Sequence, residues 1–245
     1  MEIRVDTRPP SVTMRTPGND EELAAGFLLS EGLVCRREDI LEIIPYPQYR
    51  EGNVVNVFLS PEVTVNFAQL TRHVFASSSC GLCGKATIEA VHQHFPPLRA
   101  RLSVAPAILL QLPDRMRQEQ ATFERTGGLH AAALFDSKGD LVVSREDVGR
   151  HNAVDKVIGY GLLQNQLPFA KHMLMVSGRA SFEIMQKALA ARIAVVCSVS
   201  APSGLAVEFA RESGQTLVGF LRGESFNVYS HSERISKSIG PRQRK

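Results

Sequence analysis

Two of the four cysteines stand three apart in the segment Ser77-Ser78-Ser79-Cys80-Gly81-Leu82-Cys83-Gly84, which runs into a helix-like stretch from Lys85. Glycines on either side leave such a thiol uncrowded. The partial positive charge of a helix N-terminus, with Lys85 beside it, favours thiolate over thiol. A thiolate is a nucleophile, a metal ligand or a sulfur carrier. Structural zinc requires four ligands, and the sequence holds no second Cys-x-x-Cys. Cys35 and Cys197 are isolated, and His73, His92 and His94 lack the spacing of completing ligands. A thioredoxin-like redox pair would follow a βαβ pattern that is absent upstream. Spacing alone therefore gives a reactive cysteine pair with its chemistry open.

A second group of candidates lies in the other half of the chain. Arg145-Glu-Asp-Val-Gly-Arg-His-Asn-Ala-Val154 follows an expected strand and precedes an expected helix. With Asn152 as N-cap, Asp147, Arg150 and His151 would occupy the loop at the strand's carboxyl end, where α/β domains place ligands. Ser177-Gly-Arg-Ala-Ser181 repeats that arrangement, with Ser177 or Ser181 as cap and Arg179 in the loop, and Ser200-Ala-Pro-Ser-Gly204 repeats it again. Small-residue loops with an Arg at a helix N-terminus suit a phosphate. Thr126-Gly-Gly-Leu-His-Ala-Ala132 offers glycines that let a backbone approach a ligand, and His130 beside them. Phe220-Leu-Arg-Gly-Glu-Ser225 ends the last apolar strand with a guanidinium and a carboxylate. Arg can pair with phosphate, and Glu can accept from a guanine N–H edge.

These residues need a scaffold, and 245 residues supply one large domain or two modest ones. The apolar fraction of 44% and charged fraction of 22% are those of a globular protein. No run reaches the length of a transmembrane helix, and Met1-Glu-Ile-Arg-Val-Asp6 lacks the apolar stretch of a secretory signal. Few cysteines in a long chain fit a reducing compartment, so a cytoplasmic protein without a membrane role is expected. The net charge of +3 contains five basic residues and no acid from Arg234 onward, which leaves −2 for the rest. That balance argues against a nucleic-acid-binding body, and the basic tail reads as a solvated end.

Periodicity predicts a strand pair over Ile3–Thr13 and a helix from Asn19-Asp-Glu-Glu22, which has capping-box spacing, to Gly32. Short strands are expected at Val54–Leu59 and Val63–Phe67, and helices at Ala86–His94 and Pro106–Gln120. Asp136-Ser-Lys-Gly139-Asp140 marks a hairpin. Beyond it, helical stripes alternate with the apolar runs Met173–Val176, Ala194–Val199 and Thr216–Leu221. The fold class is α/β, with an α+β N-terminal part. A smaller domain over 1–110 carrying the cysteine segment, and an α/β domain over 111–245 with the basic tail, is the expected division.

Taken in order, six motifs resemble the FdhD family. They are Ser79-Cys-Gly-Leu-Cys-Gly84, Thr126-Gly-Gly-Leu-His-Ala-Ala-Ala133 and Glu146-Asp-Val-Gly-Arg-His-Asn-Ala-Val-Asp-Lys156, then Ser177-Gly-Arg-Ala-Ser-Phe-Glu183, Val199-Ser-Ala-Pro-Ser-Gly-Leu-Ala-Val-Glu208 and Thr216-Leu-Val-Gly-Phe220. The likeness runs from Met14-Arg-Thr-Pro-Gly18 to Tyr229. It implies a sulfur carrier, a sulfurtransferase needed for active formate dehydrogenase. A cysteine desulfurase would load sulfur on Cys80 as a persulfide, with Cys83 as partner thiol. The acceptor implied is the bis(molybdopterin guanine dinucleotide) cofactor of molybdenum or tungsten, before its insertion into apo-formate dehydrogenase. A GDP-like moiety would therefore bind. The family's cofactor stretch falls on Phe220, Leu221, Arg222, Gly223, Glu224 and Ser225, with Arg150 and Arg179 as further candidates for its phosphates. The resemblance also implies a three-layer, cytidine-deaminase-like carboxy-terminal domain. A homodimer would match the two guanine arms of such a cofactor.

Two other functions compete with this one: a non-catalytic guanine-nucleotide or cofactor chaperone, and a zinc-binding deaminase-like protein. A zinc deaminase needs His-x-Glu followed by Cys-x-x-Cys. Here His130 is followed by Ala131-Ala132, and the cysteine pair comes before the histidine. No metal site is expected.

Overall fold

The computed structural model describes residues 1–46, 52–65, 91–92 and 94–236. Cys80, Cys83, His73, most of the helix expected over Ala86–His94 and the tail beyond Ser236 lie outside those residues. Ten strands and six α-helices are formed by the described residues: β1 (Glu2–Val5), β2 (Arg8–Val12), α1 (Asp20–Ser30), β3 (Ile40–Pro45), β4 (Val54–Leu59), α2 (Pro106–Gln118), α3 (Ala121–Thr126), β5 (His130–Phe135), β6 (Leu141–Asp147), α4 (Arg150–Leu163), β7 (Met173–Val176), α5 (Phe182–Ala190), β8 (Val195–Ser198), α6 (Gly204–Glu212), β9 (Thr216–Arg222) and β10 (Ser225–Ser230).

The apolar runs become the inner strands of a six-stranded sheet in the order β10-β9-β8-β7-β5-β6. Strands β7, β8 and β9 are parallel, while β5 runs antiparallel to both β6 and β7. Every residue of β7 and β8 is buried, as a strand covered on both faces requires. Helices α4, α5 and α6 pack side by side along this sheet, and α2 packs against β5, β6, β7 and β9. Pro106 at the first turn of α2 costs no hydrogen bond, and Pro113 is accommodated within that helix. The second sheet has four strands in the order β2-β1-β4-β3, with β1 and β4 parallel. Strands β3 and β10 were not expected from the sequence. In β10 the exposed Ser225 and Asn227 interrupt the apolar signal, and in β3 the exposed Leu41 and Glu42 leave no regular alternation to read.

Helix α1 lies between the two sheets, packed on α4, α5, β3 and β4. Gly26 and Gly159 make its crossing with α4 possible. A Cβ on Gly26 would overlap the Asp155 carbonyl, and one on Gly159 the Glu22 carbonyl. Because both obstacles are backbone, neither can swing aside. Gly159→Ala is expected to cost about 3 kcal/mol by overpacking. A shift of the urea midpoint corresponding to less than about 1 kcal/mol would show that the helices can separate without loss.

Two local expectations change. Asn19 occupies the N-cap of α1 in a left-handed conformation with φ 56°, and its side chain makes no cap bond. The Glu22 carboxylate that would close a capping box instead accepts from Arg145 Nε and Nη2 at 2.6 and 2.7 Å. Val63–Val65, expected in a strand, are in none, and residues 66 and 67 fall outside the description.

Candidate functional site

Strands β6, β7, β8 and β9 all end, and β5 begins, along one edge of the six-stranded sheet. This is the edge at which α/β sheets bind ligands, because the strand ends and following helix N-termini leave a crevice between loops. Five of the six motifs meet there: 126–133, 146–156, 177–183, 199–208 and 216–220.

Hydrogen bonds fix the loops to each other. Ala131 N donates to Ser177 Oγ at 2.8 Å, and Ser177 N donates to the Ala131 carbonyl at 3.0 Å. Ser198, which the sequence did not mark, donates through Oγ to the Gly178 carbonyl at 2.7 Å and accepts from Ser200 N at 3.1 Å. Phe220 N donates to the Ser200 carbonyl at 3.1 Å, with Phe220 itself at φ 53°. A left-handed phenylalanine costs about 1–3 kcal/mol that surrounding contacts must offset. The Arg222 guanidinium lies 5.8 Å from the centre of the Phe220 ring.

The motif 146–156 divides by role. Asp147 is not on a loop, as the sequence suggested; it is the fully buried last residue of β6. Its carboxylate pairs with Lys156 Nζ at 2.8 Å and accepts from Thr16 N, Gly149 N and Asn152 Nδ2 at 3.1, 2.8 and 3.0 Å. Asn152 is not the N-cap of α4, because the helix begins at Arg150 with Gly149 at the cap. Its amide instead donates to the Met14 carbonyl at 2.7 Å, while Lys156 Nζ donates to the Thr16 carbonyl at 2.9 Å. Burial of Asp147, Asn152 and Lys156 is thus spent holding Thr13–Thr16 against the β6–α4 junction. Glu146 caps α3, accepting from Thr122 N and Phe123 N at 2.9 and 2.7 Å.

Arg150 and His151 are left to face the edge. His151 Nε2 lies 3.2 Å from Ser181 Oγ and 3.9 Å from Glu183 Oε2. Ser181 holds the N-cap position of α5, but its side chain makes no cap bond. Arg150 Nε is buried and has no hydrogen-bond partner. His130 and Arg150 come together across Gly178, whose added Cβ would lie 3.2 Å from His130 Nδ1 and 3.6 Å from Arg150 Cβ. His130 also forms part of the wall of a cleft of about 520 Å³, together with Arg117, Phe123, Gly128, Ser177 and Val199.

Electrostatics single out the same residues. Burial, with the charges of Lys187 and Arg150 and against the pull of Glu183, brings the His151 imidazole down to about 4. Burial and Arg150 lower His130 as well. Burial alone would raise the Glu183 carboxyl, but the Ser181 hydroxyl, a backbone amide and the charges of His151 and Arg150 bring it below its ordinary range. For His151 the folded value lies below the unfolded one of about 6.5, so the unfolded chain binds the extra proton between those limits. Stability is therefore expected to fall by about 3 kcal/mol as pH drops from about 6.5 to about 4. His151→Gln should remove most of that slope in urea denaturation; an unchanged slope would mean that His151 titrates normally.

The remaining candidates are distributed as follows. Arg179, Arg222, Gly223, Glu224 and Ser225 are exposed at the edge, Phe220 is half-buried, and the Leu221 side chain lies in the core. The Gly223-Glu224 turn joins β9 to β10, with Gly223 at φ 57°. Cys80 and Cys83 lie outside the described residues. Cys197 is buried in β8, where desolvation pushes its thiol up to about 12 and makes it a poor nucleophile. Cys35 is exposed. His92 stacks on Phe209 with ring centres 5.4 Å apart. Among the described residues no cluster of His, Cys, Asp and Glu could hold a metal, and no helix is long and apolar enough to cross a membrane.

Comparison with known proteins agrees with the motif order. Sulfur carrier protein FdhD of Streptomyces coelicolor is 50% identical over 252 residues, covering 96% of this chain and 86% of that protein. Sulfur carrier protein FdhD of Saccharolobus solfataricus is 43% identical over 225 residues, covering 92% and 83%. A crystal structure assigned as a formate dehydrogenase accessory protein from Desulfotalea psychrophila superposes with a TM-score of 0.75 at 28% identity, covering 96% of this chain and 87% of that one. The FdhD/NarQ family model matches residues 1–236. With that match spanning both sheets and every motif loop of the shared edge, the chain belongs to the FdhD/NarQ family.

Proposed function

We propose that this protein is a sulfur carrier that activates formate dehydrogenase. The reading rests on one observation above others: five family motifs from separate stretches of chain converge on a single sheet edge beside a cleft. Its relatives are named as sulfur carriers, and sulfur handling needs a nucleophilic cysteine, which the Cys80–Cys83 pair supplies. In the loading step the Cys80 thiolate attacks the outer sulfur of a cysteine desulfurase persulfide. The donor's S–S bond breaks, its cysteine leaves as thiolate, and Cys80 carries the sulfane sulfur without net redox change. For delivery, Cys83 attacks Cys80 Sγ and expels the outer sulfur as hydrosulfide. The two electrons come from the two cysteines, which are left as a disulfide that a cellular thiol reduces.

The acceptor in this reading is the bis(molybdopterin guanine dinucleotide) cofactor of molybdenum or tungsten, bound as substrate ahead of apo-formate dehydrogenase. Phe220–Ser225 would meet its guanine end, and Arg150 and Arg179 its phosphates. The sheet with helices on its faces is in keeping with a three-layer, deaminase-like carboxy-terminal domain. Chain length allows the thiol to reach the edge. Twelve residues separate Cys80 from His92 and can span at most about 40 Å. His92 stacks on Phe209, Phe209 meets Phe182 at 5.0 Å, and Phe182 adjoins the Ser181 that contacts His151. A homodimer and a cytoplasmic setting belong to the same reading.

Incubation with a cysteine desulfurase and cysteine should add about 32 Da per sulfur atom, on Cys80. Cys80→Ala should abolish the adduct, and Cys83→Ala should retain it while blocking release. A wild-type mass that stays unchanged would rule out the carrier role. Full formate dehydrogenase activation by a Cys80→Ala/Cys83→Ala variant that binds GDP would favour a non-catalytic cofactor chaperone.

A further inference from the structure

We propose that His130, Arg150 and His151 form a subsite for a phosphate or pyrophosphate group, reached from the His130 wall of the 520 Å³ cleft. This rests on the nucleotide-binding part of the reading above and adds His130 and His151, with a proton-linked role, to Arg150. Three features of the cluster point to an anion. Arg150 Nε is buried without a partner, so a strong donor is desolvated with nothing to accept from it. Arg150 begins α4, a helix of fourteen residues whose first amides carry partial positive charge. Gly178 has no side chain between His130 and Arg150, and a Cβ there would meet both. The cluster therefore gathers an unpartnered guanidinium N–H, a helix N-terminus and two imidazoles in one neighbourhood.

The charges already present tie anion binding to a proton balance. The groups around His151 are Lys187, Arg150, Glu183 and His130, and Arg150 is the charge acting on His130. Lys187 is already matched by Asp155 at 2.9 Å, and Glu183 offsets Arg150. A phosphate dianion thus brings two charges that no fixed cation answers. The two imidazoles, held neutral by burial and by neighbouring cations, can each take a proton when the anion arrives. Binding is then linked to proton uptake, so affinity rises as pH falls through the histidine range and declines as pH rises.

The test uses the full chain with pyrophosphate and with GDP, by calorimetry in two buffers of different ionisation enthalpy and by histidine ring signals in NMR. The subsite predicts proton uptake with either ligand, upward movement of both histidine titrations, and about tenfold weaker pyrophosphate binding in Arg150→Gln. His130→Gln, at the cleft wall, should lower the uptake with the fold intact by circular dichroism. GDP binding with no proton uptake and unmoved histidine signals would overturn the subsite while leaving nucleotide binding in place. Pyrophosphate binding with uptake but no added affinity for GDP would support the subsite and count against the guanine reading. Failure of both ligands to bind would overturn both.

Discussion

Lys187→Met is expected to destabilise the protein by about 3–5 kcal/mol at neutral pH, the range found when one partner of a buried ion pair is removed. Lys187 Nζ lies 2.9 Å from both carboxylate oxygens of Asp155 and 2.9 Å from Ser30 Oγ. Ser30 Oγ also donates to Asp155 at 3.0 Å. These groups join α1, α4 and α5 at a buried point. Burial pushes the Asp155 carboxyl up, and Lys187 is the main force opposing that push. Without the ammonium the carboxyl can avoid a bare charge only by keeping a proton. The folded chain then holds a proton that the unfolded one releases above about 3.9, so the loss should grow as pH rises above that value. Urea titrations at pH 5 and pH 8 should show the larger deficit at pH 8. The double variant Lys187→Met/Asp155→Leu should recover most of it, because the orphaned charge is gone and the volume is kept. A single variant within about 1 kcal/mol of wild type, or a double variant no better than the single, would contradict this account.

Asp147→Ala should have a loss of similar size and a different signature. It strands the Lys156 ammonium, whose side chain is 1% exposed, and removes the acceptor of Thr16 N, Gly149 N and Asn152 Nδ2. About 3–5 kcal/mol is expected. This hub acts on the motif edge through the backbone, since it sets where α4 begins and so where Arg150 and His151 lie. Hydrogen exchange at Thr16 and Gly149 should quicken beyond what global destabilisation explains. Phosphate binding should weaken with it. Equal protection of Thr16 and Gly149 in the variant and the wild type, after correction for stability, would show that the hub does not order this junction.

The division of labour within 146–156 shows where the sequence stops being informative. Its polar density marks the segment as special, and its place between a strand and a helix is readable from periodicity. Yet Asp147, Asn152 and Lys156 look no different in sequence from Arg150 and His151. A helix turns a side chain through about 100° per residue, so neighbours in sequence face opposite environments. Which side meets the Thr13–Thr16 segment and which meets the open edge depends on a chain more than a hundred residues away. The same holds for Glu22, whose capping-box spacing is local while its partner Arg145 is not. Glu183 ends the 177–183 motif with nothing in its neighbours to give it a role, because its carboxylate joins the site only through the fold that sets it 3.9 Å from His151.

Local chemistry alone determined the apolar strands, the helices between them, the hairpin at Asp136–Asp140 and the family. Period-2 and period-3.6 patterns, turn residues and motif order are all properties of short stretches, and short stretches are what a sequence states directly. Tertiary structure alone decided that β5 is inserted between β6 and β7, which carries the start of β5 to the edge where the other strands end and sets His130 beside Gly178 and Arg150. It also decided the near contact of α1 and α4 at Gly26 and Gly159, and the desolvation that keeps two histidines neutral. Strand order, close approach and burial are relations between distant residues, fixed by the packing of the whole chain and carried by none of its parts.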